Sequence, residues 1–435
     1  MKRALLVNPW IYDFAAYDLW SKPLGLLYIA SILRKNNYDC YLLDCMDRHH
    51  PKINAKDKKY GCGHYMKEEI SKPECLKNIP RKYKRYGLPL SIVEDELAQI
   101  PKPDVVLVTS IMTYWYLGVY DIIKLVKRYF PQVPVILGGI YATLEYEHAK
   151  EYAPADHVFR GDDMGLLMDL VGASWYPKSF NEFPYPAYDL YKELSYAPIL
   201  TSRGCPMHCP YCAAPLLHNE FEKRDPQSVV DEIEFLIGRY RVEDFAFYDD
   251  ALLMDREHSK KIFEQIIERG LRCRLHTPNG LHIRSITLEV AKLMYKAGFK
   301  TIRLSLETAN PERQLEMGNK ASNDDLVSAI DFLEQAGFNR KDVGVYLMIG
   351  MRGQSFNEIM DSIRFVSSLE TRVYLAEYSP IKGTKEWERA GLPPDMDPLL
   401  TNNSIFPLWD DWDEIQRVKS IAKTINARLT MSEHI

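Results

Sequence analysis

The chain has 435 residues, 46% of them hydrophobic and 26% charged, with a formal net charge of −5 at pH 7. This is ordinary globular usage, long enough for two or three domains, and no run of about 18 apolar residues exists to span a membrane. Eight cysteines in this length are too sparse for a secreted disulfide framework, so free thiols in a reducing, oxygen-poor cytoplasm are expected.

At the amino end, Met1-Lys-Arg precedes the short apolar run ALLV, too brief for a signal peptide and read as a first strand. Strand-like RALLVNP and YDCYLLD flank the helical stretch PLGLLYIASILRKN. VVLVTS, the helical LGVYDIIKLVKRYF and VPVILGG follow, and ADHVFRGDD closes the unit. Such alternation predicts a Rossmann-like, doubly wound open sheet over residues 1–165, with ligands beyond the carboxyl ends of the strands. Those ends are Asn8-Pro9, Asp44, Thr109-Ser110, Gly138-Gly139 and Gly161. The paired glycines admit a phosphate-bearing ligand or simply make a strand-to-loop turn.

An insertion at about 48–100 breaks this pattern. Between Arg48 and Gly87 twelve Lys or Arg stand against four Asp or Glu, with Tyr60, Tyr65, Tyr83 and Tyr86 interleaved. The block reads as a solvated insertion folded over the domain, or as a face for an anionic substrate or a cofactor's phosphate tail. No recognised nucleic-acid-binding module accompanies it. Cys40, Cys45, Cys62 and Cys75 have no ligand-like spacing and read as ordinary thiols. Residues 166–194 contain the proline- and aromatic-rich segment SWYPKSFNEFPYPAYDLYKEL, which lacks either period and reads as a linker.

From 195 to 391 short β-rich runs alternate with amphipathic helices, the mark of a parallel α/β layer. The strands are APILTS, DFAFYD, CRLHTP, TIRLSL, VGVYLMI and VYLAEY. Asp225-Pro226 starts one helix, Asp255 another that Gly270 ends, and Gly337 closes DDLVSAIDFLEQA. Directly after the first strand comes SRGCPMHCPYCAA, placing Cys205, Cys209 and Cys212 in a C-x-x-x-C-x-x-C run. An iron–sulfur cube needs four ligands, usually thiolates; three leave one iron open to a small molecule. Gly204, Pro206 and Pro210 stiffen and tighten the loop. Structural zinc, with His208 as fourth ligand, is the alternative reading of the spacing alone. Residues 392–435 form a loop-like stretch and a terminal helix, WDDWDEIQRVKSIAKTINARL, with Ile415, Val418, Ile421, Ala422 and Ile425 on one face; Trp409 and Trp412 could cap the open side of a barrel.

The cysteine run and the strand ends resemble the radical S-adenosylmethionine (SAM) superfamily. The resemblance implies an open partial (β/α)6 barrel in which Cys205, Cys209 and Cys212 hold a [4Fe-4S] cluster. SAM would chelate the fourth iron and be cleaved reductively to a 5′-deoxyadenosyl radical. It implies SAM contacts from Tyr211, just before the third cysteine; from Tyr248, Asp249 and Asp250, where the family has a Gly-Gly-Glu-like segment; and from Asn279, Ser305, Glu307, Ile349 and Gly350. YSPIKGT resembles the family's "PxPGT" ending, with Lys382 in place of the second proline.

PLGLLYIAS early and GGIYAT later, ahead of such a barrel, resemble the cobalamin-dependent group of that superfamily. Its implications are an α/β fold of a cobalamin-binding-type amino domain, the partial barrel and a helical tail, and cobalamin held by Asn8, Pro9, Thr109, Ser110, Gly138, Gly139 and Gly161. The implied activity is methyl transfer to an unactivated carbon, with a small-molecule or metabolite substrate and an electron donor such as flavodoxin or ferredoxin. A cobalamin-independent rearrangement, cyclisation or oxidation is the alternative, and a non-catalytic zinc or iron–sulfur binding protein a third. Asp47-Arg48-His49-His50-Pro51 departs from the D-x-H-x-x-G run of many cobalamin domains, lacking its glycine, so His49 is not expected to ligate cobalt.

Overall fold

The computed structural model describes residues 1–161 and 163–431. Asp162 of the expected closing run and 432–435 of the expected tail therefore lie outside the described residues. The chain forms two compact units. The first comprises Met1–Tyr196, Leu216–His218 and Asp395–Leu400; the second comprises Ala197–Pro215, Asn219–Pro394 and the residues from Thr401 onward.

The first unit is built on five parallel strands, β1 (Lys2–Asn8), β2 (Tyr38–Asp44), β3 (Val105–Val108), β4 (Val135–Leu137) and β5 (His157–Val158), in the order β2-β1-β3-β4-β5. The central strands carry unbroken apolar runs because both faces are covered: Ala4, Leu5, Leu6 and Val7 of β1 are all fully buried. The helix Leu24–Lys35 lays Leu26, Ala30 and Leu33 into the core below the sheet.

The basic insertion folds into a three-stranded antiparallel sheet with Lys84–Tyr86 between Ile11–Asp13 and Lys67–Glu69. Tyr65, Tyr83 and Tyr86 are buried in it. Part of its positive charge is met locally: Arg85 pairs with Glu68, Lys82 with Glu69, Lys77 with Glu74 and Lys52 with Asp95.

Residues expected to form a linker are instead part of this unit. Met164–Val171 is a helix capped by Asp163 and stopped by Gly172 in the left-handed region. Beyond it the Ala187 amide donates to the Leu27 carbonyl at 3.1 Å, and Ser31 Oγ donates to the Tyr185 carbonyl at 2.7 Å. Phe180, Ala187, Tyr188 and Tyr191 are buried. An aperiodic stretch rich in apolar rings still has area to bury, and it does so without regular structure.

In the second unit six strands follow in simple sequence: β6 (Tyr196–Ile199), β7 (Asp244–Phe247), β8 (Arg274–His276), β9 (Phe299–Glu307), β10 (Val343–Ile349) and β11 (Arg372–Glu377). Every expected strand is present, and β9 is longer than expected. The order is linear, so the layer is an open partial barrel. The helix Pro226–Tyr240 starts at Asp225, whose carboxylate accepts from the Gln227 amide. Asn323–Ala336 starts with a Ser322–Asp325 capping box and ends at Gly337.

The edge strand β11 is guarded by the terminal helix Trp412–Met431, which buries Ile415, Val418 and Ala422. Asn426 grips the edge backbone twice: its Oδ1 accepts from the Val373 amide at 2.9 Å and its Nδ2 donates to the Val373 carbonyl at 2.7 Å. That satisfies groups an open edge would otherwise offer to another strand.

Candidate active site

The cysteine run leaves β6 through Thr201 and Ser202, both fully buried, and Ser202–Arg203 pairs antiparallel with Glu222–Lys223 to close the loop at its base. Gly204 takes φ +75°, a turn that a side chain would oppose. The sulfurs already receive backbone donors: the Met207 amide points to Cys205 Sγ and the Ala214 amide to Cys212 Sγ, each at 3.5 Å. Burial pushes the Cys212 thiol up to about 11 and raises Cys205 as well. These thiols therefore hold protons at neutral pH until a metal displaces them.

All eight cysteines are free. Among the described residues no three His, Cys, Asp or Glu side chains converge on a single-ion site. Three thiolates at separate corners of an iron–sulfur cube need not converge on one point, whereas zinc ligands must. His208 is exposed in the loop. The donor set fits a cubane with one iron left over.

The residues expected to contact SAM divide into two sets. Asp249 is buried, and its Oδ1 accepts from the Thr201 amide (3.0 Å), Thr201 Oγ1 (2.6 Å), the Ser202 amide (2.6 Å) and Ser202 Oγ (2.7 Å). Its carboxyl is raised by burial, with those donors opposing. Such a group anchors the root of the cysteine loop instead of presenting itself to a ligand. Asn279 likewise spends its amide nitrogen on the carbonyls of Tyr248 and Asp249, at 3.1 and 3.2 Å. Gly350 has φ +88°, and a Cβ there would lie 2.8 Å from the Phe406 ring, so the glycine makes room for a side chain of the same unit. Ile349 is fully buried, and its carbonyl accepts from the Tyr378 amide at 2.9 Å.

Asp250, in contrast, is exposed and lies close enough to the loop to raise both Cys205 and Cys212. Ser305 stands against Gly280, where a Cβ would fall 1.7 Å from its Oγ. Glu307 is nine-tenths buried, sits at φ +72°, and accepts from Lys320 Nζ at 2.9 Å and from the Tyr211 hydroxyl at 3.3 Å. Tyr211 is thus tied to strand β9, and burial first, then Glu307 and Cys209, raise its phenol.

Sequence reasoning missed four residues here. Lys320 enters from the turn after the helix Pro311–Glu316, whose Gly318 lies against Cys209 and Pro210. His282 is buried near it and is held down to about 4, chiefly by burial and then by Lys320. Gln354 braces the end of β10, with Oε1 accepting from the Gly350 amide and Nε2 donating to the Met348 carbonyl. Tyr378 is buried at the end of β11, with no hydrogen-bond partner for its hydroxyl among the described residues. No motif marks any of them; only tertiary placement does.

At the strand ends of the first unit, several expected ligand contacts prove to be internal ties. Asn8 Nδ2 donates to Asp44 Oδ1 at 2.7 Å, and Tyr191 donates to Asp44 Oδ2 at 2.6 Å. Ser110 Oγ donates to the Gly138 carbonyl at 2.7 Å. A Cβ on Gly139 would sit 2.4 Å from the Ser110 carbonyl oxygen, so the glycine pair is a close strand-to-loop turn. Pro9 is buried and Thr109 half-buried. Gly161, at φ +84°, is the open position, with nothing within 4 Å of a Cβ placed there. Its amide donates to Thr143 Oγ1 at 3.1 Å, and its place beyond the carboxyl ends of parallel strands is where a nucleotide-tailed group such as cobalamin would bind. His49 Nε2 bonds to Asp57 at 2.9 Å, as a structural histidine would.

Comparison with known proteins agrees with this division. A radical SAM superfamily model matches residues 199–366, and a B12 binding domain model matches residues 90–171. The chain is 22% identical to cytidylyl-2-hydroxyethylphosphonate methyltransferase of Streptomyces wedmorensis, over 98% of this chain and 90% of that protein. It is 24% identical to an uncharacterised methyltransferase of Pyrococcus horikoshii, over 70% and 73%. Among solved structures it resembles the radical SAM methyltransferase TsrM of Kitasatospora setae bound to cobalamin and a [4Fe-4S] cluster (TM-score 0.65, 17% identity, 90% of this chain and 75% of that one). The cobalamin-dependent radical SAM enzyme OxsB is also similar (TM-score 0.58, 13% identity, 96% and 56%). The open six-stranded layer behind the cysteine loop is thus a radical SAM domain, and the parallel sheet that precedes it in sequence carries a B12 binding domain.

Proposed function

We propose that this protein transfers a methyl group to an unreactive carbon of a small molecule, using SAM, a [4Fe-4S] cluster and cobalamin. The observation that carries the reading is the three-thiol loop, a donor set one short of a full cube, in a chain that also matches a B12 binding domain. When bound, the cluster would supply a low-potential electron to SAM and cobalamin would carry the methyl group; that organic chemistry is the cofactors' own.

The chain's residues bind and orient. Cys205, Cys209 and Cys212 would ligate three irons. Asp250 would accept from the SAM ammonium, for which an exposed carboxylate beside the loop is suited. Tyr248 and Ser305 would line the nucleoside side, while Asp249 and Asn279 hold the strand ends that carry them. Thr109 and Gly161 would line the corrinoid tail. A reduced flavodoxin or ferredoxin in the cytoplasm is the electron donor of this reading. The two relatives named above, matched over 98% and 70% of this chain, are methyltransferases by name, which supports methyl transfer over the cobalamin-independent alternative.

Anaerobically reconstituted protein should hold about four irons per chain, retain a corrinoid absorbance band after exposure to hydroxocobalamin, and cleave SAM with dithionite. Retention of SAM cleavage by Cys205→Ala/Cys209→Ala/Cys212→Ala protein would refute the assignment, and a missing corrinoid band would refute its cobalamin part.

A further inference from the structure

Lys320 and Glu307 form an ion pair from which water is almost excluded, with side chains 15% and 10% exposed and 2.9 Å between Nζ and Oε1. Such a pair is a poor source of stability, because desolvation offsets most of the attraction. Its position is more informative. Lys320 lies three residues from the start of the helix Asn323–Ala336, on a turn whose Gly318 would bring a Cβ to 3.7 Å from Cys209 Cα and 3.8 Å from Pro210 Cδ. The turn therefore rests on the cysteine loop. Burial works against the lysine's charge, yet Glu307 holds it above its ordinary value. Glu307 is kept on the spot by a backbone at φ +72° and by the Tyr211 hydroxyl, two residues along from Cys209. A side chain in that backbone region is strained, so the surrounding fold imposes this placement.

We infer that the Lys320–Glu307 pair sets the reduction potential of the metal group held by the cysteine loop, Lys320 favouring the reduced form and Glu307 restraining it. One-electron reduction adds negative charge to the cluster; a buried cation nearby stabilises that charge and a buried anion opposes it. In both oxidation states the same thiolates stay bound and only the electron moves, supplied by the external donor. Lys320 and Glu307 are positioning residues that touch no reacting atom. The inference rests on the proposed cluster, and the two fail differently: without a cluster the wild-type protein takes up no iron, whereas without the tuning role it takes up iron at an unmoved potential.

The experiment is an EPR-monitored redox titration of anaerobically reconstituted full-length protein without SAM. At the wild-type midpoint, Glu307→Gln should raise the reduced-to-oxidised ratio about tenfold, a shift of 59 mV for one electron. Lys320→Gln should lower the ratio at least threefold. The double variant, which leaves no lone buried charge, should return to within about threefold of wild type at wild-type iron content. A shift of either single variant in the wrong direction, or within twofold of zero, overturns the inference. Should the single variants take up no cluster, the double variant decides alone: failure to load iron at wild-type circular dichroism would show that packing, and not charge, is what the pair supplies.

Discussion

Single residues carry most of the site's organisation, and Asp249 is the clearest case. Four donors from Thr201 and Ser202 meet one carboxylate oxygen, and removing the acceptor strands them in a buried position. Asp249→Ala should therefore cost roughly 3 kcal/mol in chemical denaturation, with lost iron uptake as a secondary effect. Gly280→Ala should also be costly, since its Cβ would strike Ser305 Oγ at 1.7 Å. A Ser305→Gly companion should recover most of an overpacking cost of about 1–3 kcal/mol.

His282 gives a pH signature of known sign. Its folded pKa of about 4 lies below the ordinary 6.5, so the unfolded chain binds the proton more readily. The stability it contributes is complete above 6.5 and is lost as pH falls through 4. A shift of this size corresponds to roughly 3 kcal/mol. Urea denaturation of the metal-free protein should show that slope between pH 6.5 and 4, and His282→Phe should flatten it.

At the scale of elements, what was legible in the sequence follows from how local each signal is. Continuous apolar runs such as ALLV and VGVYLMI name buried parallel strands, and Asp225-Pro226, Asp255 and Gly337 name helix ends, because the physics acts within a few residues. The three cysteines were legible for the same reason, being seven residues apart from first to last. Residues whose role depends on a distant partner were not. Asp249 looked like a ligand contact because nothing nearby announces Thr201 and Ser202, 48 and 47 positions away. Gly350 looked like a SAM contact, although the ring that takes the space beside it, Phe406, lies 56 residues on. Lys320 sits in an unremarkable turn and gains meaning only when that turn meets the cysteine loop.

Across the whole molecule, the supposed linker is the largest departure from sequence expectation. Its aromatic residues are anchored on the helix Leu24–Lys35 and on Asp44. Limited chymotrypsin digestion should thus leave Phe180, Tyr188 and Tyr191 uncut in native protein, with fragments mapped by mass; early cleavage there would show the segment to be a free tether after all. No described helix is long and apolar enough to cross a membrane.

The first unit also reclaims Asp395–Leu400 from late in the chain, where Asp397 Oδ1 accepts from the Tyr116 hydroxyl at 3.1 Å. A ribosome making this protein would release most of the amino-terminal sheet about 280 residues before the acceptor for that phenol is synthesised. The earliest-made unit then waits until most of the second has been synthesised before it is complete, and a gene cut once between the halves would yield an amino-terminal fragment permanently short of one of its own pieces.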